Sequence, residues 1–210
     1  ETFDNRNWYL ANCRLSTFGI EKVAECANLI ISKIFSPEKK LLVLDCDNTL
    51  WGGVIGEDGL KSISLGEDGI GKAYCDFQRV ISSLKKQGLL LAISSKNNYK
   101  DVIEVFNHES MILKKKDFIS LKINWEEKYK NIKLIAEELN INLDSIVFWD
   151  DNPLERDKIK NNLPDVLTIE PSNEVIEWPN QLKSLNVFSK LKTTNEDKKK
   201  KLTNIKQGQN

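Results

Sequence analysis

The chain has 210 residues, and its 31 lysine and arginine residues balance its 31 aspartate and glutamate residues. This length predicts one compact domain with at most a short appendage, and the charge balance favours neither a nucleic acid nor an acidic lipid surface as partner. Hydrophobic residues make up 40% of the chain and charged residues 30%. That composition is typical of a globular protein and excludes an intrinsically disordered one.

Three features bear on the compartment. The longest apolar runs, such as residues 89–93, have the length of a strand and are far too short to span a membrane. The first residues lack the pattern of a signal peptide, and the absence of an initial Met suggests a domain excised from a longer polypeptide. The four cysteines are widely spaced without a C-x-x-C pair, which disfavours a zinc site and a disulfide framework. We therefore expect a cytoplasmic chain.

The first third of the chain predicts a helix and then a buried strand. Residues 1–15 give no regular pattern, so we expect an irregular lead-in. From Ser16 onward apolar residues recur at helical spacing until Pro37, which predicts one long helix. Residues 41–44 form a continuous apolar run, which is typical of a strand buried on both faces of a parallel sheet.

Strands and helices alternate in the remainder of the chain. The Gly-rich residues 52–71 predict a hairpin or flap. Helices are predicted at residues 70–87, 99–106, 126–139, from Pro153 onward and at 173–185. Strands are predicted at residues 89–93, 118–123, 145–149 and 166–169.

This alternation predicts an α/β fold with a parallel sheet flanked by helices. We expect residues 1–36 to pack on a catalytic domain of residues 37–190, followed by a polar, lysine-rich tail at 191–210. Polar clusters follow three of the predicted strands, at residues 45–49, 94–98 and 150–152. Since ligands of open parallel sheets bind at the carboxyl ends of the strands, these clusters are the candidate site.

The candidate site is rich in carboxylates. Asp45 and Asp47 follow one strand, and Asp150 and Asp151 follow another. Neighbouring carboxylates repel one another unless a cation or a proton lies between them. A set of oxygen donors without a His or Cys pair favours a hard cation such as Mg²⁺, which in turn favours phosphate chemistry. Each of these carboxylates alone could instead be a helix cap.

The same residues resemble the motifs of the haloacid dehalogenase (HAD) superfamily. The run DCDNTL at residues 45–50 is similar to its D-x-D-x-T motif, Ser95 and Lys128 match its second and third motifs, and the end of the strand at Asp150 matches its fourth. The longer wording DCDNTLWGGVIGEDG, SSKNN, NWEEKYKNI and DDNPLER resembles the FkbH-like branch. The resemblance covers roughly residues 3 to 200 and implies a Rossmann-like HAD fold with a small flap and no large cap domain.

The resemblance implies a role for each matching residue. Asp45 would attack phosphorus and form an aspartyl-phosphate, while Asp47 would act as general acid and base. Ser95 and Lys128 would hold the phosphoryl oxygens, and Thr49 would support the loop. The magnesium ligands would be drawn from Asp45, Asp47 (through its backbone carbonyl), Asp150 and Asp151.

Further polar residues are candidates for binding substrate oxygens. Asn48, Lys96, Asn97 and Asn152 could instead cap helices or turns. Arg156 could bind a second phosphate or face solvent. Trp51 with the following glycines could gate the site or form a turn.

The FkbH-like branch also implies a substrate and a partner. Such proteins are associated with polyketide synthases, and several transfer the glyceryl unit of 1,3-bisphosphoglycerate, with dephosphorylation, to an acyl carrier protein. Cys46 is the candidate thiol for the intermediate thioester, and cations nearby would lower its pKa. Its alternative is a small packing residue at the end of a buried strand, pointing away from Asp45 and Asp47.

Two other functions stay open. A plain small-molecule phosphatase would use Asp45, Asp47 and Asp150 but would not need Cys46. A catalytically inert HAD module for protein docking would need none of them. Trp125 and Trp149 are expected in the core, and Cys13, Cys26 and Cys75 are expected to be packing residues.

Overall fold

The computed structural model describes residues 1–35, 38–185 and 187–188. The lysine-rich tail predicted at 191–210 therefore lies outside the described residues. Within them the chain divides into two compact units, Glu1–Glu38 and Lys39–Phe188. No helix in these ranges is long and apolar enough to cross a membrane.

The first unit contains two helices, α1 (Asn5–Ala11) and α2 (Thr17–Phe35). The long helix was predicted, but α1 replaces part of the expected irregular lead-in. A segment of seven residues is too short for apolar periodicity to predict a helix. The ends of α1 are instead defined by local capping interactions. The Asp4 side chain accepts a hydrogen bond from the Arg6 amide, and Asn12 closes the other end in the left-handed conformation.

The second unit is built on five parallel strands. They are β1 (Leu41–Leu44), β2 (Leu90–Ser95), β3 (Ser120–Ile123), β4 (Ile146–Trp149) and β5 (Leu167–Thr168), in the spatial order β3-β2-β1-β4-β5. The helices are α3 (Ile55–Asp58), α4 (Gly69–Lys86), α5 (Tyr99–Phe106), α6 (Lys128–Leu139), α7 (Pro153–Asn162) and α8 (Trp178–Ser184). The predicted α/β class is confirmed, with β1 at the centre of the sheet.

Helices cover both faces of this sheet. Leu42 and Leu44 belong to a core with side chains of α4, α5 and α8, whereas Leu41 and Val43 belong to a second core with side chains of α6 and α7. Successive residues of a strand point to opposite faces, so a fully apolar run such as β1 supplies both cores. The sheet is therefore the middle of three layers.

The glycine-rich segment after β1 is a loop rather than a regular hairpin. Gly52 and Ser64 exchange two backbone hydrogen bonds of 3.1 and 2.7 Å, and the one-turn helix α3 lies between them. Where a hairpin or flap was predicted, the segment thus forms a single antiparallel bridge. Between β1 and β2 the described chain forms only this loop and α4, which leaves the carboxyl ends of the strands without a large cap.

Gly71 provides a test of how tightly α4 packs on this loop. A Cβ atom at Gly71 would lie 2.9 Å from the Gly66 nitrogen and 3.0 Å from the Leu65 nitrogen. Because backbone cannot move aside cheaply, we expect Gly71→Ala to lower the free energy of unfolding by about 1–3 kcal/mol, measured by urea denaturation. Gly56→Ala is the control, since nothing lies within 4 Å of its added Cβ. Equal stability of both variants would contradict this packing.

Candidate active site

Three carboxylates meet at the carboxyl edge of the sheet. Asp45 follows β1, and Asp150 and Asp151 follow the neighbouring strand β4. One ligand oxygen from each of them lies within 4.8 Å of the others. The parallel pairing of β1 with β4 produces this convergence, because Leu44 is in register with Trp149 and the two chains leave the sheet together.

Lys128 places a buried positive charge between two of these carboxylates. At the first residue of α6, its Nζ lies 3.0 Å from Asp45 Oδ1 and 2.6 Å from Asp150 Oδ2, and its side chain is 4% exposed. Burial alone would lower the pKa of Lys128, but the charges of Asp45 and Asp150 raise it above its ordinary value. Lys128 is therefore a fixed cation in this site.

Among the described residues, Lys128 forms the ion pairs with these carboxylates, which still outnumber it. Burial, together with the charge of Asp45, raises the pKa of Asp150 to about 7. Burial also raises the pKa of Asp151, again with a contribution from Asp45. Mutual repulsion among oxygen donors of this kind is what a divalent hard cation relieves. The donor set therefore fits a magnesium ion.

Hydrogen bonds fix the loop that carries Asp150 and Asp151. The Asn152 amide donates to Asp150 Oδ1 at 2.9 Å, and the Thr49 hydroxyl donates to Asp151 Oδ1 at 3.2 Å. Arg156 Nη1 donates to the backbone oxygens of Asp150 and Asp151 at 2.9 and 2.6 Å. The loop is therefore tied both to the β1 motif and to α7.

Asp47 lies apart from this cluster and is held by three donors. Its Oδ1 accepts hydrogen bonds from Trp51 Nε1 at 2.9 Å and from the Ile55 amide at 3.1 Å, and its Oδ2 accepts one from Asn97 Nδ2 at 2.8 Å. Burial raises the pKa of Asp47, although these hydrogen bonds partly oppose the shift. A carboxyl group with a raised pKa is suited to carrying a proton.

Several predicted substrate-binding residues take part in contacts within the chain. Asn48, in the left-handed conformation, accepts a hydrogen bond from the Gly53 amide at 2.8 Å. Lys96 pairs with Glu127 at 3.3 Å and with Glu155 at 3.2 Å. Asn152 caps α7 through the Leu154 amide. Arg156 likewise binds backbone oxygens of the chain. Contacts between these four residues and a substrate therefore stay predictions.

Cys46 lies in the core and not in the open site. Its side chain is fully buried with Leu42 and Leu44, as strand alternation would place it. Burial raises the pKa of the Cys46 thiol well above its ordinary value, and Asp45 adds to the shift; a hydrogen bond with Ser95 opposes it. The expected lowering of this pKa by nearby cations was wrong, because desolvation and the adjacent carboxylate outweigh Lys128.

The burial of the cysteines predicts a labelling pattern. Cys26 is exposed, whereas Cys46 and Cys75 are buried. The prediction that Cys26 is a packing residue was wrong, since its helix presents it to solvent. We expect iodoacetamide to label Cys26 in the folded protein and to spare Cys46 and Cys75 until urea unfolds it, as measured by peptide mass spectrometry. Rapid labelling of Cys46 in the native protein would contradict its placement.

Of the two tryptophans predicted in the core, one is buried and the other is exposed. Trp149 is fully buried as expected, but Trp125 is 70% exposed and was wrongly expected in the core. The structure also adds two donors that the motifs did not reveal as partners of Asp47, the Trp51 ring and the Ile55 amide. A backbone amide leaves no signal in the sequence, so the second of these could not have been found.

Comparison with known proteins shows which solved structures this chain resembles. No family model matches the chain, and no curated protein matches it. A solved structure does: the N-terminal part of the protein BF1531 from Bacteroides fragilis, containing a phosphatase domain and complexed with Mg. The two chains are 37% identical with a TM-score of 0.79, over 91% of this chain and 52% of the other. The chain has the fold of the HAD phosphatases.

The extent of this likeness matters for function. The chain spans about half the length of the Bacteroides fragilis chain. A HAD-family enzyme from Bacteroides thetaiotaomicron, solved with magnesium and inorganic phosphate, is 15% identical over 63% of this chain and 94% of its own, with a TM-score of 0.42. The Bacteroides fragilis structure contains magnesium, and Asp45, Asp150 and Asp151 could bind such an ion here.

Proposed function

We propose that the chain is a magnesium-dependent phosphatase that forms an aspartyl-phosphate on Asp45. The observation that carries the proposal is the cluster of Asp45, Asp150 and Asp151 with the buried Lys128 among them. Its resemblance to the four HAD motifs and its likeness to a magnesium-bound phosphatase domain support it. Bound magnesium would supply positive charge that neutralises the phosphoryl oxygens.

The first half of the reaction uses two carboxyl groups. An Asp45 oxygen forms a bond to phosphorus while the bond from phosphorus to the leaving-group oxygen breaks. Asp47 donates its proton to that oxygen, which its raised pKa favours. Lys128 and Ser95 hold the phosphoryl oxygens, since one is a buried cation and the other a buried hydroxyl residue at the end of β2.

The second half regenerates the carboxylate. A water molecule attacks phosphorus, the bond between phosphorus and the Asp45 oxygen breaks, and inorganic phosphate leaves. Asp47 accepts the proton of the attacking water and returns to its starting state. The net reaction consumes one phosphate ester and one water, and produces an alcohol and phosphate.

Phosphate release from a panel of phosphate esters and acyl phosphates tests this function. We expect turnover with Mg²⁺, loss of turnover when EDTA removes the metal, and recovery when Mg²⁺ is restored. Release that is equal with EDTA and with Mg²⁺ would contradict the proposal, as would the absence of turnover across the panel together with no magnesium binding by calorimetry. The latter result would favour the docking module.

A finer proposal names 1,3-bisphosphoglycerate as substrate and an acyl carrier protein as acceptor. It rests on the FkbH-like wording of the motifs and on the position of Cys46 directly after Asp45. The Cys46 sulfur would attack the acyl carbon, the carbon–oxygen bond to the 1-phosphate would break, and the thioester would then exchange with the carrier thiol. The 3-phosphate ester would be hydrolysed by water at Asp45 through the two steps given above, which leaves a glyceryl group and inorganic phosphate. The full burial of Cys46 weighs against this step, since the thiol would have to become exposed and ionised.

Cys46→Ala separates the finer proposal from the plain phosphatase. If the thioester forms on Cys46, the variant keeps phosphate release from simple esters but loses glyceryl loading of the carrier, measured by intact-protein mass spectrometry. Cys75→Ala is the matched control, because that thiol is equally buried but belongs to α4. Full loading by Cys46→Ala would eliminate the thioester.

A further inference from the structure

A cleft opens beside the proposed catalytic acid at the carboxyl ends of β2 and β3. Its volume is ≈ 470 Å³, and its walls include Asn97, Asn98, Tyr99, Ile123, Asn124 and Trp125. That volume can hold a small organic molecule, and the cleft is wide open to solvent. The cleft is separate from the carboxylate cluster formed at β1 and β4.

Asn97 connects this cleft with Asp47. It lines the cleft, and its Nδ2 donates to Asp47 Oδ2 at 2.8 Å. Through this contact Asn97 links the wall of the cleft directly to the carboxyl group proposed to act on the leaving group. This step of the inference rests on the proposed function.

The aromatic walls of the cleft are exposed although they are held in place. Trp125 is 70% exposed and Tyr99 is 45% exposed. Trp125 Nε1 donates to Asn98 Oδ1 at 3.3 Å, which orients the indole ring at the rim. Exposed aromatic rings offer a large apolar contact area with only two side-chain torsions to order, as binding surfaces do.

The polar walls define the chemistry of the occupant. Lys100 and Asp101 both line the cleft, and their opposite charges leave it without a net charge. Asn98 uses one amide hydrogen on Asp101 and one lone pair on Trp125, so it retains a donor and an acceptor. Groups that donate and accept together match hydroxyl groups better than they match a second phosphate.

We propose that this cleft binds the leaving group of the substrate and that the leaving group is an uncharged, polyhydroxylated carbon skeleton, such as a sugar or a polyol. Trp125 contacts the carbon face of the skeleton, and Asn97 and Asn98 bind its hydroxyl groups. Trp125 is therefore a specificity-determining residue, because it contacts the part of the substrate that distinguishes one phosphate ester from another.

Trp125→Ala tests the subsite through kinetics. We expect KM for sorbitol 6-phosphate to rise about tenfold, the scale of one lost aromatic contact, while KM for acetyl phosphate and kcat for both stay within twofold. Ile176→Ala is the control, since it removes an equally exposed apolar side chain outside the cleft. Equal changes for both substrates, or no change for either, would overturn the subsite.

A binding experiment separates failure of the subsite from failure of the phosphatase reaction. The indole N–H resonance of Trp125 is assigned from its loss in Trp125→Phe, and free sorbitol is then titrated into the wild-type protein. A saturable shift of that resonance supports the subsite even if no phosphate ester is hydrolysed. The subsite is overturned if sorbitol shifts other resonances but not that of Trp125, or if sorbitol shifts no resonance.

Discussion

Asp45→Asn is expected to lower the rate of phosphate release by about four orders of magnitude or more, as loss of a covalent nucleophile does in other enzymes. The amide has nearly the shape of the carboxylate but lacks the negative charge needed to attack phosphorus. The change also replaces one of the three carboxylates proposed for magnesium with a neutral amide, whose oxygen is a weaker ligand. Steady-state phosphate release with saturating Mg²⁺ measures the effect.

The matched control for this change is Asp76→Asn. Asp76 lies on α4, its side chain is 42% exposed, and it pairs with Arg79 at the surface. We expect its activity to stay within twofold of wild type, since surface ion pairs contribute little. Circular dichroism confirms that both variants fold. Retention of more than about 1% of the activity by Asp45→Asn would argue against the covalent mechanism.

Lys128→Met is expected to give the largest loss of stability in the metal-free protein. The change removes the cation that lies 3.0 Å from Asp45 and 2.6 Å from Asp150, and it leaves buried negative charge without compensation. Breaking a buried ion pair in this way costs about 3–5 kcal/mol. Urea denaturation in EDTA measures the free energy of unfolding.

A second substitution tests whether charge causes this loss. Adding Asp150→Asn to Lys128→Met removes one of the uncompensated carboxylates, so we expect the double variant to recover at least about 1 kcal/mol relative to Lys128→Met. Lys130→Met is the control on the same helix, because its side chain is 56% exposed; we expect a change within about 0.5 kcal/mol. A double variant less stable than Lys128→Met would show that packing, and not charge, dominates.

The central sheet could be predicted because its strands are buried on both faces. Runs such as Leu41–Leu44 have no polar alternation, and each ends in a polar cluster that marks its carboxyl end. Helix α1 could not be predicted in the same way, since caps at Asp4 and Asn12 define it and not a periodic apolar face. The loop after β1 was expected as a hairpin because glycines permit turns, but they do not specify strand pairing.

The candidate site could also be predicted in part from the sequence. Asp45, Asp150 and Asp151 could be expected together because neighbouring parallel strands end at one edge. The setting of Asp47 could not, since the Ile55 amide that binds it is a backbone group. Trp125 was misplaced because aromatic composition predicts burial, whereas its position just after β3 leaves it at the rim of a cleft.

The hydrogen bonds from Arg156 to the backbone oxygens of Asp150 and Asp151 affect the rate at which a metal ion can bind. Because the guanidinium anchors this loop to α7, the two acids need little rearrangement when the metal enters, and the entropy of ordering has already been lost during folding. Mg²⁺ sheds its hydration shell reluctantly. We therefore expect dehydration of the incoming ion, and not motion of the polypeptide, to limit the association rate.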